Sequence, residues 1–62
     1  MTLQELEEAI QQQIDWRQAE NIPSRQVFIN QQLWISLGYP TEYGHLPIYS
    51  TVALATRQVL VT

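Results

Sequence analysis

Apolar side chains recur at steps of three and four along the first part of the chain, at Leu3, Leu6, Ile10 and Ile14. On a helix this spacing places them in one stripe, while the glutamines and acids between them fall on the opposite side. The pattern predicts an N-terminal amphipathic helix with one face made for burial. Trp16 lies off the stripe and either widens the buried face or projects as an anchor for another chain; we expect it in the core.

Capping signals mark both ends of this helix. Thr2 and Glu5 have the spacing of a capping box, in which each side chain accepts a hydrogen bond from a backbone N–H that the helix start leaves free. The helix should end near residues 20–21, because Ile22 precedes Pro23 and a residue before proline is displaced from the helical region.

The next segment alternates apolar and polar side chains with the period of a strand. Its apolar residues share one parity: Val27, Ile29, Leu33, Ile35 and Leu37. With residues 30–32 as a hairpin loop, the two strands present one aliphatic face, and Phe28 lies opposite Trp34 on the other face. We favour this hairpin because β-branched and aromatic residues dominate the segment.

The competing interpretation of the same segment is a second helix. Asn30 can cap such a helix, and Gly38 can terminate it. The sequence alone leaves this alternative open.

The connection that follows, GYPTEYGHLPIY at residues 38–49, holds both glycines, all three tyrosines and the only histidine. Its prolines restrict the backbone and its glycines allow tight turns, so the segment is predicted to be a conformationally restricted loop. Tyr39–Pro40 is a position where a cis bond can occur, although trans is expected. We predict that Tyr39, Tyr43 and His45 form a preorganised contact surface flanking Trp34.

The remaining residues, from Tyr49 to Thr62, are typical of a strand, since Thr, Val and Tyr are frequent and Val52 and Leu54 alternate with small residues. The parity of the apolar positions changes near residues 56–58, which predicts a bulge or break there. The last five residues, QVLVT, are apolar and uncharged. A free strand edge of this kind readily pairs with another chain, so we predict self-association through Val59, Leu60 and Val61.

Together these elements predict one α+β domain spanning residues 1–62, with the order α-β-β-β. The N-terminal helix should lie on the aliphatic face of a three-stranded antiparallel sheet, with Val27, Ile29, Leu33 and Ile35 beneath it. The opposite face, which carries Phe28 and Trp34, needs a cover, and a second copy of the chain is a natural one. The predicted assembly is a homodimer.

Length and composition restrict the ways in which this domain can be stabilised. A chain of 62 residues forms a marginal core. Such cores rarely supply more than about 3–5 kcal/mol of folding free energy without a further stabilising element, such as a disulfide, a metal or a partner chain. Cysteine is absent and histidine occurs once, which excludes a disulfide and argues against an intrachain zinc site. No metal or cofactor is expected, and association with a partner is the remaining source of extra stability.

Charge restricts the partners. The formal net charge is −3, and the three arginines are spread along the chain, so the clustered cations that bind nucleic acid are missing. No apolar run is long enough to span a membrane, and no secretion signal is present, so we expect a soluble cytoplasmic protein.

Candidate chemistry centres on His45, which could act as a general base or acid with Glu42 to orient it. No nucleophile motif, second acid or phosphate-binding loop accompanies them, so the chain is predicted not to be an enzyme. The favoured hypothesis is an acidic protein-protein interaction module that contacts its partner through Phe28, Trp34 and the loop residues above. The exposed aromatic residues, the tyrosine-rich loop and the low charge predict an inhibitor or adaptor of phage or mobile-element type. The helix-and-hairpin outline is similar to small phage morphogenesis and inhibitor proteins, but no site is transferred from that outline. The alternatives are a purely structural homo-oligomeric subunit and an enzyme that uses His45 and Glu42.

Overall fold

The N-terminal helix α1 spans Leu3–Ala19 and begins where the capping box predicts. In the computed structural model, which describes residues 1–62, the Thr2 N–H donates to the Glu5 carboxylate at 2.8 Å and the Glu5 N–H donates to the Thr2 hydroxyl at 3.1 Å. Hydrogen bonding of the Glu5 carboxyl group to the Thr2 backbone, and secondly to the Thr2 side chain, lowers the pKa of Glu5 below its ordinary value. The predicted helix start is confirmed.

The end of α1 is a Schellman motif around Asn21. The Asn21 N–H donates to the Gln18 carbonyl at 3.1 Å, and the Ile22 N–H donates to the Arg17 carbonyl at 2.8 Å. Asn21 adopts a positive φ of 58°, which asparagine tolerates better than most residues. The Arg17 guanidinium then donates to the Pro23 carbonyl at 2.8 Å, so the connection to the first strand is tied back onto the helix.

The first strand, β1, spans Val27–Asn30, and the predicted hairpin after it is wrong. The chain instead forms a second helix, α2, over Gln31–Ser36. The Asn30 side chain accepts from the Leu33 N–H at 3.1 Å, and Gly38 ends the helix with a φ of 81°. Local capping at both ends therefore outweighs the strand-like alternation, which a helix of this length also accommodates.

A short hairpin follows in the segment predicted as a loop. Strand β2 spans Glu42–Tyr43 and strand β3 spans Leu46–Thr51. Gly44 at the first of the two connecting positions has a φ of 59°, as in the type II′ turns that join twisted strands tightly. No peptide bond is cis, so Tyr39–Pro40 is trans as expected.

The last strand, β4, spans Val59–Val61. The predicted break in the C-terminal segment is present and is longer than expected, because residues 52–58 leave the sheet entirely. This crossing segment is held at the end of β1, where the Asn30 side chain donates to the Leu54 carbonyl at 2.7 Å.

The four strands form one mixed sheet in the order β2-β3-β1-β4. β1 is parallel to β3 and antiparallel to β4, while β2 is antiparallel to β3. The α+β class is confirmed. The sheet differs from the predicted three-stranded antiparallel one because β1 pairs with β3 across the chain rather than with the neighbouring residues.

The hydrophobic core lies between the two helices and one face of the sheet. It consists of Leu6, Ile10, Val27, Ile29, Leu33, Leu46, Ile48 and Val61. The predicted contact of the α1 stripe with Val27, Ile29 and Leu33 is confirmed for Leu6, Ile10 and the partly buried Ile14. The prediction is wrong for Leu3, which is 45% exposed, and for Ile35, which is 42% exposed on the outer side of α2. The prediction for Trp16 is wrong, because its side chain is 62% exposed.

The radius of gyration is 10.9 Å, close to the ~10.6 Å of a compact domain of this length. Neither helix combines the length and apolar character that crossing a bilayer would require.

Candidate functional site

The face of the sheet that points away from the helices carries a row of apolar side chains. Val27, Ile29, Ile48 and Val61 point into the core, so the residues that alternate with them point outward. Phe28 pairs with Tyr49 on one side and with Leu60 on the other. We call this set, Tyr49–Phe28–Leu60, the outer row.

The outer row is open to solvent at both ends. Tyr49 is 48% exposed and Leu60 is 44% exposed, while Phe28 between them is half-buried. The rings of Phe28 and Tyr49 pack with centroids 5.7 Å apart, so these two side chains hold each other in place. Both helices place their buried side chains on the other face of the sheet, which leaves the outer row without a cover.

Charge is almost absent from this surface. Glu42 is the only charged residue in any strand of the sheet. It pairs with Pro47 on the outer side, because the next pair, Tyr43 with Leu46, points into the core. An apolar, aromatic and charge-poor face has the composition of an interface centre.

Phe28 and Trp34 were predicted to lie opposite each other, and the structure separates them. Trp34 belongs to α2 and packs against the core, and its indole N–H donates to the Pro40 carbonyl at 2.9 Å. Tyr39 stacks edge-on against Trp34 with ring centroids 4.8 Å apart. Its own N–H donates to the Trp34 carbonyl at 3.0 Å.

This pattern is the Schellman motif that ends α2, in which the residue after the left-handed glycine makes an apolar contact with the last turn. Tyr39 itself has a φ of 61°, an uncommon conformation for a bulky residue. The Trp34–Tyr39 pair therefore has a structural explanation, although Tyr39 remains 55% exposed.

Tyr43 and His45 lie away from that pair. The Tyr43 hydroxyl donates to the side-chain oxygen of Gln11 on α1 at 2.6 Å, and its ring packs against the core. His45 is exposed in the β2–β3 turn. The five predicted partner-binding residues thus fall into three places: Phe28 in the outer row, Trp34 with Tyr39 at the end of α2, and Tyr43 with His45 on the α1 side.

His45 borders the one groove in the molecule, an open space of about 400 Å³ between the end of α1 and the β2–β3 turn. Ile14, Ile22 and Leu46 form its apolar part, and Gln18 and Asn21 line its polar part. The structure gives His45 no hydrogen-bond partner, and Glu42, which was to orient it, points to the opposite face of the sheet. His45 and Glu42 are not brought together.

The remaining predicted residues form β4, which is an edge strand of the sheet. Val61 is buried in the core and Val59 packs against it, whereas Leu60 projects into the outer row. No group of three or more His, Cys, Asp or Glu side chains lies close enough together to hold a metal ion.

Sequence reasoning did not name Tyr49 as a site residue, and it assigned Leu60 to self-association through the strand edge rather than to a surface shared with Phe28. The alternation Leu46, Ile48 against Pro47, Tyr49 was a detectable strand signal inside the supposed loop. The pairing of Phe28 with Tyr49 and Leu60 had no local signal, because it joins segments that are far apart in the chain.

Comparison with known proteins adds no relative. No protein-family model matches the chain, and neither the curated proteins nor the solved structures gave a significant match.

Proposed function

We propose that this protein is a small, non-catalytic interaction module that binds another protein through the outer face of its sheet. The observation that carries the proposal is the outer row, which lies uncovered on a compact domain whose other sheet face packs against the helices. Exposed apolar patches bounded by polar residues mark interaction sites on small proteins.

The chemistry of the row indicates what kind of partner surface fits it. Tyr49 and Phe28 are aromatic, fixed by their mutual contact, and flanked by residues without charge. Rigid aromatic side chains lose little conformational entropy on binding and are frequent among the residues that dominate binding energy. The partner should therefore present an apolar, uncharged patch, and the bound state would block or link that patch as an inhibitor or adaptor does. The narrower role of a phage or mobile-element inhibitor or adaptor is part of this proposal, and the aromatic, charge-poor outer row supports it only in its general form.

The test compares Leu60→Asp with Val52→Asp. Both variants place a carboxylate on an exposed aliphatic position, but Val52 is 82% exposed in the crossing segment and lies outside the outer row. Partner capture from a native lysate, quantified by mass spectrometry, should be retained by Val52→Asp and lost by Leu60→Asp. Equal capture by both variants would place the partner site elsewhere.

A second candidate is a homo-oligomeric assembly subunit, and the symmetry of the row favours it. Phe28 lies between Tyr49 and Leu60, so a two-fold axis near Phe28 would place Tyr49 of each copy against Leu60 of the other. Such a contact is isologous and self-complementary. Light scattering that shows only the 7.2 kDa species at high concentration would exclude this candidate and leave the first one standing.

A cytoplasmic location also remains a proposal. The chain contains no cysteine, so its stability does not depend on an oxidising compartment. Cell fractionation of the native protein tests it.

A further inference from the structure

The outer edge of β4 is hydrogen-bonded to one side chain of α1. The Gln13 side-chain N–H₂ donates to the Val59 carbonyl, and its side-chain oxygen accepts from the Val61 N–H at 2.8 Å. A glutamine side chain ends in an amide, so it offers the same donor and acceptor as the backbone of a neighbouring strand. Gln13 therefore occupies the position that a further strand would take at these two groups.

The two groups belong to the free edge of the sheet. Along a strand, the N–H and C=O of one residue point to one side and those of the next residue point to the other. Thr62 and Gln26 exchange backbone hydrogen bonds of 3.0 Å, so Thr62 and, two residues before it, Leu60 face β1. Val59 and Val61 consequently face away from β1, where the sheet order ends.

This edge is otherwise suited to pairing with a copy of itself. β4 is apolar and carries no charge or proline, which are the usual means of protecting an edge strand. With a two-fold axis at Leu60, Val59 of one copy lies opposite Val61 of the other. Each such pair exchanges hydrogen bonds in both directions. In each pair, one of the two hydrogen bonds would join the Val59 carbonyl of one copy to the Val61 N–H of the other. Gln13 is already hydrogen-bonded to both of these groups.

We propose that Gln13 closes the β4 edge against strand addition by a second copy of this chain. Gln13 reaches the edge because α1 packs along β4, and its half-buried side chain is bonded at both of its polar atoms. The inference is independent of the proposed function, since it concerns the backbone edge of β4 and not the outer face of the sheet. It also restricts the sequence-based prediction of self-association. Val59, Leu60 and Val61 are expected to pair with a second copy only when the Gln13 side chain has left the β4 edge.

The experiment compares Gln13→Ala with Gln12→Ala. Gln12 is the neighbouring residue of the same type, is exposed, and makes no side-chain hydrogen bond, so its variant controls for helix propensity and composition. Sedimentation equilibrium from micromolar to millimolar concentration should show that Gln13→Ala self-associates at least about tenfold more tightly than the wild type, because the released edge groups then bond to a second copy. Gln12→Ala should match the wild type.

Amide hydrogen exchange identifies the surface used. In Gln13→Ala the Val61 amide should lose protection when dilute, and the Val59 and Val61 amides should both gain protection as concentration rises. Association through the outer row would leave the Val59 amide unprotected. A folded Gln13→Ala that stays as monomeric as Gln12→Ala, or that associates without protecting Val59, overturns the proposal.

A second variant separates edge closure from simple loss of the fold. Gln13→Met keeps the length and much of the packing of the side chain but removes both hydrogen bonds, so it should fold and associate as Gln13→Ala does. Circular dichroism checks the fold of each variant. Unfolding of Gln13→Met would mean that the amide is needed to build the domain rather than to close its edge, and would also overturn the proposal.

Discussion

The two faces of the sheet are made by alternating residues of the same strands, yet they differ in every physical respect. The inner face is aliphatic and lies under both helices. It contributes five of the eight buried residues, and the helices contribute the other three, Leu6, Ile10 and Leu33. The outer face carries the aromatic pair Phe28–Tyr49 and the half-exposed Leu60. The contrast indicates that the inner face stabilises the fold, while the outer face is available for contact with other molecules.

The largest expected effect comes from truncating one residue on each face. Ile29 is fully buried on the inner side of β1, and Leu60 is 44% exposed on the outer side of β4. Ile29→Ala should lower the free energy of unfolding by about 2–5 kcal/mol, because it removes buried methyl groups and leaves a cavity. Leu60→Ala should lower it by less than about 1 kcal/mol. Urea denaturation followed by circular dichroism measures both, and equal losses would show that the outer face also carries the stability of the domain.

A smaller effect is expected from the two tyrosines that lie on opposite faces. The Tyr43 hydroxyl on the inner side is bonded to Gln11 at 2.6 Å, and the Tyr49 hydroxyl makes no protein hydrogen bond in the structure. Tyr43→Phe should destabilise the domain by about 0.5 kcal/mol, near the low end for a hydrogen bond because the contact is exposed to water. Tyr49→Phe should be neutral in the same denaturation assay. A destabilising Tyr49→Phe would contradict the assignment of the outer face to contact rather than stability.

The smallest effect concerns pH and the helix that covers the inner face. Hydrogen bonds from Thr2 lower the folded-state pKa of Glu5 below its ordinary value of 4.5. A carboxyl group with a lowered folded pKa contributes stability that is complete above the unfolded pKa and is lost as the pH falls through the folded one. Wild-type stability should therefore decline slightly as the pH drops below 4.5.

Glu5→Gln should reduce that decline, since glutamine can still act in a capping box but does not titrate in this range. Glu7→Gln, which removes an exposed carboxyl group without a hydrogen-bond partner, is the matched control and should leave the decline as it is. Thermal melts between neutral and acid pH compare the three proteins. An unchanged slope in Glu5→Gln would assign the acid sensitivity to other groups.

How far the sequence predicts each region depends on how local its determinants are. Helix α1 was predictable because its cap, its stripe and its end lie within the segment itself. The structure of residues 30–37 was not predictable, because the apolar residues of this segment fit the two-residue period of a strand. Leu33 and Leu37 are also one helical turn apart. Short apolar runs are ambiguous by periodicity alone. Asn30 and Gly38 carried the correct signal, and only the observed fold shows that this signal prevails.

The candidate surface was predictable in part. Phe28 was identified as an outward aromatic residue on a face in need of cover, and that placement is what the structure shows. The prediction that Trp34 lies beside Phe28 was wrong, because the aromatic neighbour of Phe28 is Tyr49. The role of Gln13 at the β4 edge had no sequence signal, because a glutamine on a polar helix face looks the same whether or not a strand edge lies beside it.

By itself, the sequence determined helix α1, its caps, the inward direction of Leu6, Ile10, Val27 and Ile29, and the α+β class, because these follow from periodicity and from hydrogen bonds between near neighbours. The tertiary structure decided which strands pair, that β1 runs parallel to β3, and which side chains meet on the outer face. Backbone hydrogen bonding between strands is the same for every residue type except proline, so strand partners are chosen by packing across the whole domain. The same packing places Gln13 against the free edge of β4.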